Sequence, residues 1–190
     1  AQFSDIQFIG EDNGDLLGWD LASAGDVDQD GLNDILMSAP RSDRNGSNSG
    51  AVYLFLGASL QGFSAVPMAQ ADYIFEGGED NALMGTAIIG DIDINNDNIP
   101  DLIFSALSTN EWNQPIAVSH IIQMGDLTPG TYVVDNISKM VYSDPVSTET
   151  SLQTVHLANL GDLDADDLDD FAMGIAGVSV PEFESGGVYI

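Results

Sequence analysis

The residues best suited to chemistry lie in a nine-residue stretch, 26–34. It reads Asp-Val-Asp-Gln-Asp-Gly-Leu-Asn-Asp, so acidic side chains occupy positions 1, 3, 5 and 9 and glycine occupies position 6. Carboxylates this close repel one another unless a cation lies among them. A hard divalent ion with oxygen ligands meets that need, and flexible coordination by about six to eight oxygens favours Ca²⁺ over Mg²⁺. We therefore expect a calcium site here.

The same pattern occurs twice more along the chain. Residues 93–101 read Asp-Ile-Asn-Asn-Asp-Asn-Ile-Pro-Asp, and residues 162–170 read Asp-Leu-Asp-Ala-Asp-Asp-Leu-Asp-Asp. We call residues 26–34, 93–101 and 162–170 loop 1, loop 2 and loop 3; their first residues are separated by 67 and 69 residues. A spacing this regular indicates three copies of one supersecondary unit rather than a chance acidic turn.

Short apolar runs recur around each loop and predict the elements that hold it. They are rich in branched and aromatic residues and bounded by Gly, Asn, Asp and Pro, which is typical of strands. We predict an all-β fold of three four-stranded antiparallel repeats, with the acidic loop between the first and second strands. Such units at fixed spacing are the blades of a β-propeller. The runs are 35–37, 51–56, 73–75, 102–104, 116–122, 140–142, 171–173 and 187–190.

The repeats divide the chain, which we treat as a single propeller segment, 1–190. Blade 1 is predicted at 11–77, blade 2 at 78–144, and blade 3 at 145–190 without its fourth strand. Residues 1–10 supply a surplus strand that resembles residues 73–77 and is expected to complete an adjacent or last blade. Propellers usually have about four to eight blades. Three therefore form an incomplete propeller unless the chain is part of a longer one or is closed by other copies.

The balance of charge limits the partners. The 190 residues carry a formal net charge of −28, which makes nucleic acid and anionic membranes poor partners. No apolar run approaches the ~18–20 residues that span a bilayer, so we expect no direct membrane insertion. Extracellular modules can rely on calcium at about millimolar concentration. We therefore expect an extracellular or cell-surface protein, secreted with its leader removed.

Further motifs flank the loops. Phe8-Ile9-Gly10 and Phe75-Glu76-Gly77 each supply a Phe-x-Gly element, and Ser38-Ala39-Pro40 follows the second strand of the first copy. With the three loops, these motifs resemble the FG-GAP repeats of integrin alpha-subunit propellers and of many secreted microbial proteins. The later copies depart from the Gly-Ala-Pro element, with Ser105-Ala106-Leu107 and Gly174-Ile175-Ala176 in its place. The resemblance covers nearly the whole chain.

The resemblance implies a ligand set for each loop. The side chains at positions 1, 3, 5 and 9 and the backbone carbonyl at position 7 would bind Ca²⁺. Loop 1 is expected to bind most tightly and loop 2 most weakly, because Asn95 contributes no charge. Asn98 and Asp167 replace the glycine at position 6, and both tolerate the left-handed conformation. The implied ligands are Asp26, Asp28, Asp30, Leu32 and Asp34; Asp93, Asn95, Asp97, Ile99 and Asp101; and Asp162, Asp164, Asp166, Leu168 and Asp170.

Other kinds of site fit the sequence poorly. An EF-hand needs a glutamate at position 12 and flanking helices, and position 12 of loop 1 is Met37. No nucleophile elbow, His-Glu-x-x-His motif or phosphate-binding glycine loop is present, so we assign no catalytic residue and expect no enzyme. His120 and His156 are expected to be packed and Trp19 to be buried. Trp112 is the better exposed candidate for a binding surface.

Three functions are consistent with these observations. The first is an extracellular calcium-binding module for cell adhesion, with structural calcium and a protein or glycan ligand. The second is a subunit of an extracellular polymer, in which the N-terminal strand of one copy pairs with the open third blade of the next. The third is the non-catalytic propeller part of a larger secreted enzyme.

Overall fold

The structure, a computed structural model, describes residues 6–109, 112, 115–145, 155–175, 179–180, 183–184 and 187–190. Its regular elements are short strands and single-turn 3-10 helices, and no α-helix occurs in these ranges. The 3-10 helices are Ala58–Leu60, Met68–Gln70, Met124–Asp126 and Val134–Asn136. The strands are β1 (Gln7–Ile9), β2 (Leu21–Gly25), β3 (Asp34–Ala39), β4 (Ala51–Phe55), β5 (Ala65–Pro67), β6 (Tyr73–Glu76), β7 (Ile88–Ile92), β8 (Asp101–Thr109), β9 (Pro115–Ile122), β10 (Gly130–Val133), β11 (Lys139–Pro145), β12 (Val155–Gly161), β13 (Asp170–Ile175), β14 (Ser179–Val180), β15 (Phe183–Glu184) and β16 (Gly187–Tyr189).

The main strands of each repeat form an antiparallel sheet in chain order. The order is β2-β3-β4-β6 in blade 1, β7-β8-β9-β11 in blade 2 and β12-β13-β16 in blade 3. A small hairpin, β14-β15, lies between the last two strands of blade 3 in the chain. The predicted all-β fold with propeller blades is therefore confirmed. The described part of blade 3 has no fourth main strand, and the exact blade boundaries stay predictions.

Two short parallel pairs join neighbouring repeats. β10 lies between the third and fourth strands of blade 2 and pairs with β6 of blade 1, Tyr132 lying opposite Phe75. β5 lies in the equivalent connection of blade 1 and pairs with β1, Val66 lying opposite Phe8. β6, the fourth strand of blade 1, therefore pairs with the connection between the third and fourth strands of blade 2. β1 pairs in the same way with the equivalent connection of blade 1.

Blade 1 is buried on both faces, and its third strand, β4, carries apolar residues without interruption. Side chains alternate along β4: Val52 and Leu54 belong to one apolar cluster, and Tyr53 and Phe55 belong to another. This alternation follows from the two-residue period of a strand. The first cluster also contains residues of blade 2, whereas the second also contains Val66 of β5, with Phe8 of β1 packed against it.

The blades are held together chiefly by apolar contacts. Between blades 1 and 2 the rings of Phe75 and Phe104 lie 5.2 Å apart between centroids, and both side chains are fully buried. Blade 3 joins blade 2 through a smaller cluster, Ala117, Val155, Met173 and Ile175. Because each blade buries a face only against a neighbour, a blade depends on the next one for its stability.

The tryptophans and histidines lie partly where the sequence predicts. Trp112 is 72% exposed, as expected, but Trp19 is 43% exposed because it lies in the turn before β2, where its Nε1 donates to the Thr86 carbonyl. His120 is buried and burial lowers its pKa. His156 is exposed, so the expectation that it is packed is wrong; it lies on β12, at the edge of the blade 3 sheet.

Within the described ranges, no helix is long and apolar enough to cross a membrane.

Candidate metal centres

Each acidic loop connects the first and second strands of its blade, as predicted. The first strand carries a β-bulge just before the loop in all three blades, with register shifts at Ser23/Gly25, Ile89/Ile92 and Asn159/Gly161. Position 9 of each loop is the first residue of the second strand. The bulge and this strand start therefore fix the two ends of the loop by backbone pairing.

The carboxylate at position 1 organises the turn in every loop. In loop 1 the two oxygens of Asp26 accept the backbone N–H groups of Asp30 and Gly31, each at 2.9 Å. The equivalent bonds measure 3.2 and 2.8 Å to Asp93 and 3.1 and 3.1 Å to Asp162. The carboxylate at position 5 accepts the N–H of position 7 at 2.8, 2.8 and 2.9 Å in the three loops.

The carboxylate at position 9 ties the loop to the body of the blade. Asp34, Asp101 and Asp170 each accept the N–H of position 2 in their own loop, at 2.9, 3.3 and 2.8 Å. The second oxygen of Asp34 accepts the N–H of Gly57, and that of Asp101 accepts the N–H of Met124. Gly57 and Met124 lie just beyond the third strands, so this carboxylate links three strands of one blade.

Burial of position 9 has an electrostatic consequence. Asp34 is 3% exposed and Asp101 is fully buried. Loss of hydration raises the pKa of Asp34 and raises that of Asp101 to about 6, in spite of the backbone N–H groups that lower it. The charges of neighbouring loop carboxylates raise both pKa values further. A cation among these groups would favour their ionised form.

The acidic side chains converge in two of the three loops. Ligand oxygens of Asp26, Asp28 and Asp34 all lie within 4.8 Å of one another, and so do those of Asp162, Asp164 and Asp170. Asp30 and Asp166 lie outside these groups. Position 3 of loop 3 is solvent-exposed, and the pKa of Asp164 is raised chiefly by the charge of Asp166. An all-oxygen set of this kind fits a hard cation such as Ca²⁺.

Loop 2 is organised differently at position 3. The Nδ2 group of Asn95 donates to Asp97 Oδ2 at 2.9 Å, so the amide already satisfies one carboxylate oxygen. In the described part of the chain, no three acidic side chains of loop 2 converge as those of loops 1 and 3 do. The proposed carbonyl ligands Leu32, Ile99 and Leu168 stay predictions.

The turn at position 6 has the predicted backbone conformation. Gly31, Asn98 and Asp167 have φ angles of +89°, +64° and +68°. Position 4 is also left-handed, which the sequence did not reveal: Gln29 has φ +59° and Ala165 has φ +64°. Neither residue type favours this region. The loop hydrogen bonds therefore impose the conformation there.

Comparison with known proteins supports the resemblance for part of the chain. Residues 17–55, which include β2, loop 1, β3 and β4, match the family model described as FG-GAP repeat. Integrin alpha pat-2 of Caenorhabditis briggsae is 32% identical over 101 residues, which is 53% of this chain and 8% of that protein. Human integrin alpha-IIb is 36% identical over 91 residues, which is 48% of this chain and 8% of that protein. The chain thus spans a small fraction of the relatives it matches.

Proposed function

We propose that the chain is a calcium-stabilised segment of an FG-GAP-type β-propeller that works outside the cell or at its surface as an adhesion module. The observation that carries the proposal is one hydrogen-bond pattern, repeated around the carboxylates at positions 1, 5 and 9 of three loops. The matched relatives are named integrin alpha chains, which supports an adhesion-type role and gives no support to catalysis.

The chain's own residues explain why calcium would be structural. Bound Ca²⁺ would supply the positive charge that the clustered carboxylates lack. The carboxylates already fold the loop, because each accepts backbone N–H groups of the same turn. Asp34 also joins loop 1 to the end of β4 through Gly57. An ion that holds Asp34 ionised therefore stabilises the contact among β2, β3 and β4.

Removal of calcium tests the structural role. We expect the melting temperature to fall in excess chelator, because an ion at a concentration about 100 times its Kd adds about 2.7 kcal/mol of stability per site. Calorimetric titration should count three ions in the parent protein and two in Asp28→Ala. The matched control is Asp12→Ala, an exposed acid outside the loops. A melting curve that excess chelator leaves unchanged would refute the proposal.

A groove at the junction of blades 1 and 2 is our candidate surface for a protein or glycan ligand. It has a volume of about 300 Å³ and is lined by residues that include Leu16, Trp19, Arg41 and Leu83. Its walls come from the turns before β2 and β7 and the turn after β3, whereas the acidic loops follow β2 and β7. We expect Trp19→Ala to reduce binding on a glycan array or to immobilised matrix proteins. Phe63→Ala, at a similarly exposed aromatic residue outside the groove, should not.

A second candidate function is assembly with further copies by strand pairing. β6 pairs along both edges, with β4 and β10, whereas β1 pairs with β5 along one edge in the described structure. β16 has a described neighbour only on the β13 side, and Val188 is 71% exposed. If β1 joins β16 as β6 joins β4, Phe8 lies opposite Val188, as Phe75 lies opposite Val52.

Cysteine cross-linking tests this assembly cleanly, because the chain has no cysteine. The Phe8→Cys/Val188→Cys double variant should form disulfide-linked multimers on oxidation. The Phe8→Cys/Phe63→Cys variant is the control for random cross-linking and should not form them. Protein that stays a monomer at high concentration, with no specific cross-link, would exclude the strand-pairing mechanism.

A further inference from the structure

Loops 2 and 3 are joined by a reciprocal pair of hydrogen bonds. The backbone N–H of Asp93 donates to Asp169 Oδ2 at 2.9 Å, and the N–H of Asp169 donates to the carbonyl of Asp93 at 3.0 Å. Asp93 is position 1 of loop 2, and its two oxygens accept the N–H groups of Asp97 and Asn98. Asp169 therefore holds the peptide group from which the first candidate ligand of the neighbouring loop extends.

Asp169 is also coupled to its own loop. It directly precedes Asp170, the position 9 residue, whose Oδ2 accepts the N–H of Leu163 at 2.8 Å. Any change that fixes Asp170 in loop 3 fixes the adjoining peptide of Asp169. The path from one candidate centre to the other is thus two neighbouring residues and two hydrogen bonds.

Asp169 is position 8 of loop 3. Position 8 of loop 2 also contacts the preceding blade, but through a different type of side chain. There it is Pro100, which packs against Gly25, the residue before loop 1: a Cβ added to Gly25 would lie 2.7 Å from Pro100 Cγ. Proline has neither an N–H donor nor a carboxylate. Loops 1 and 2 are joined by an exposed hydrogen bond from Gln29 Nε2 to the carbonyl of Asn98, which measures 3.2 Å. It does not involve position 1.

We propose that Asp169 is a positioning residue that couples loops 2 and 3, so that Ca²⁺ bound in loop 3 raises the affinity of loop 2 for Ca²⁺. The inference rests on the proposed calcium function and extends it. Ca²⁺ binding in loop 2 depends more on a neighbouring loop than binding in loop 3 does, because Asn95 supplies no charge and its amide is bonded to Asp97. By linkage, Ca²⁺ in loop 2 raises the affinity of loop 3 by the same factor. Coupling between loops 1 and 2 is weaker.

The test compares the affinity of loop 2 with loop 3 intact and with loop 3 disabled. Asp28→Ala removes loop 1 from the titration, and Asp164→Ala, at an exposed position, disables loop 3. Ca²⁺ affinity is measured by calorimetry, and the number of bound ions is counted by native mass spectrometry. We expect disabling loop 3 to weaken Ca²⁺ binding in loop 2 by about tenfold, within the usual range of coupling between sites. In the Asp169→Ala background the same change should alter the affinity by less than about twofold.

Two variants separate positioning from charge. Asp169→Asn removes the charge but keeps an oxygen that can accept the Asp93 N–H, so most of the coupling should survive. Asp167→Asn removes a charge from the same loop at a residue whose N–H bonds to Asp162, and it should leave the coupling unchanged. Far-UV circular dichroism verifies that each variant is folded.

The possible outcomes distinguish this inference from the proposed function. Coupling that disappears in Asp169→Ala and persists in Asp169→Asn supports the positioning role. Coupling that survives in Asp169→Ala, or disappears equally in both variants, overturns it while calcium binding still stands. Independent binding in loops 2 and 3 of the Asp28→Ala protein overturns only the coupling. Absence of Ca²⁺ binding in every variant overturns the proposed function as well.

Discussion

The buried carboxylate of Asp101 predicts an unusual pH dependence for the calcium-free protein. Its pKa rises from an ordinary value of 3.8 to about 6 on folding, because it is fully buried. The native state therefore binds this proton more tightly than the unfolded state does. The contribution of Asp101 to stability is fully favourable below about pH 4 and is lost as the pH rises to about 6. A shift of about two pKa units corresponds to about 3 kcal/mol over the whole range.

Unfolding by urea at several pH values measures this effect. For decalcified protein, we expect Asp101 to add about 2 kcal/mol to the free energy of unfolding between pH 7 and pH 4.5. The burial of Asp34 raises its pKa and acts in the same direction. With saturating Ca²⁺ the free energy of unfolding should instead decrease as the pH falls, because protons then compete with the ion for the carboxylates.

Asp101→Asn isolates the contribution of this one group. The variant cannot ionise at this position, so its decalcified stability should change less with pH than that of the parent, by about 2 kcal/mol over the same interval. General repulsion among the other carboxylates is nearly the same in both proteins. Equal pH slopes for the parent and Asp101→Asn would refute the reasoning from burial.

Two further predictions concern the blade junction and the loop backbone. Phe104→Ala should lower the free energy of unfolding in urea by about 3–5 kcal/mol, because the ring is fully buried against Phe75. The control is Phe63→Ala, at a ring that is 45% exposed. Similar losses of stability in both variants would contradict the packing argument. Gly31→Ala should lower the free energy of unfolding by about 1–2 kcal/mol, because a Cβ is strained at a φ of +89°. No atom lies within 4 Å of the added Cβ, so the φ angle alone accounts for the loss. Gly31→Asn should cost less, since Asn98 adopts this conformation in loop 2; equal losses for Ala and Asn in thermal unfolding would show that the φ angle is not the cause.

The sequence predicted the elements whose signals are local. The apolar runs at 35–37, 51–56 and 102–104 lie within β3, β4 and β8 or extend one residue beyond them, because they alternate between two buried faces. The fourth strands at 73–75 and 140–142 were also predicted correctly. β5 and β10 were missed, because each is three or four residues long and pairs with a strand outside its own blade. The exposure of Trp19 was missed because the first strand begins two residues later.

Some features of the candidate metal centres were likewise predictable from the sequence, and others were not. Spacing alone predicted the acidic loops and the left-handed residue at position 6, because a nine-residue turn is governed by local hydrogen bonds and φ preferences. The left-handed Gln29 and Ala165 carry no sequence signal, since other residues of the loop impose their conformation. The competition of the Asn95 amide for Asp97 depends on a rotamer that residue type does not specify.

The sequence by itself determined where the three acidic loops with their candidate oxygen ligands lie and which strands flank them, because the relevant residues are close in the chain. Only the tertiary structure decided which carboxylates are buried and which loops touch. Asp101 accepts the N–H of Met124, 23 residues away, and Asp169 meets Asp93 across 76 residues. The first contact lies within blade 2 and the second joins blades 2 and 3, and both depend on the burial of surfaces distant in the chain, which no local pattern records.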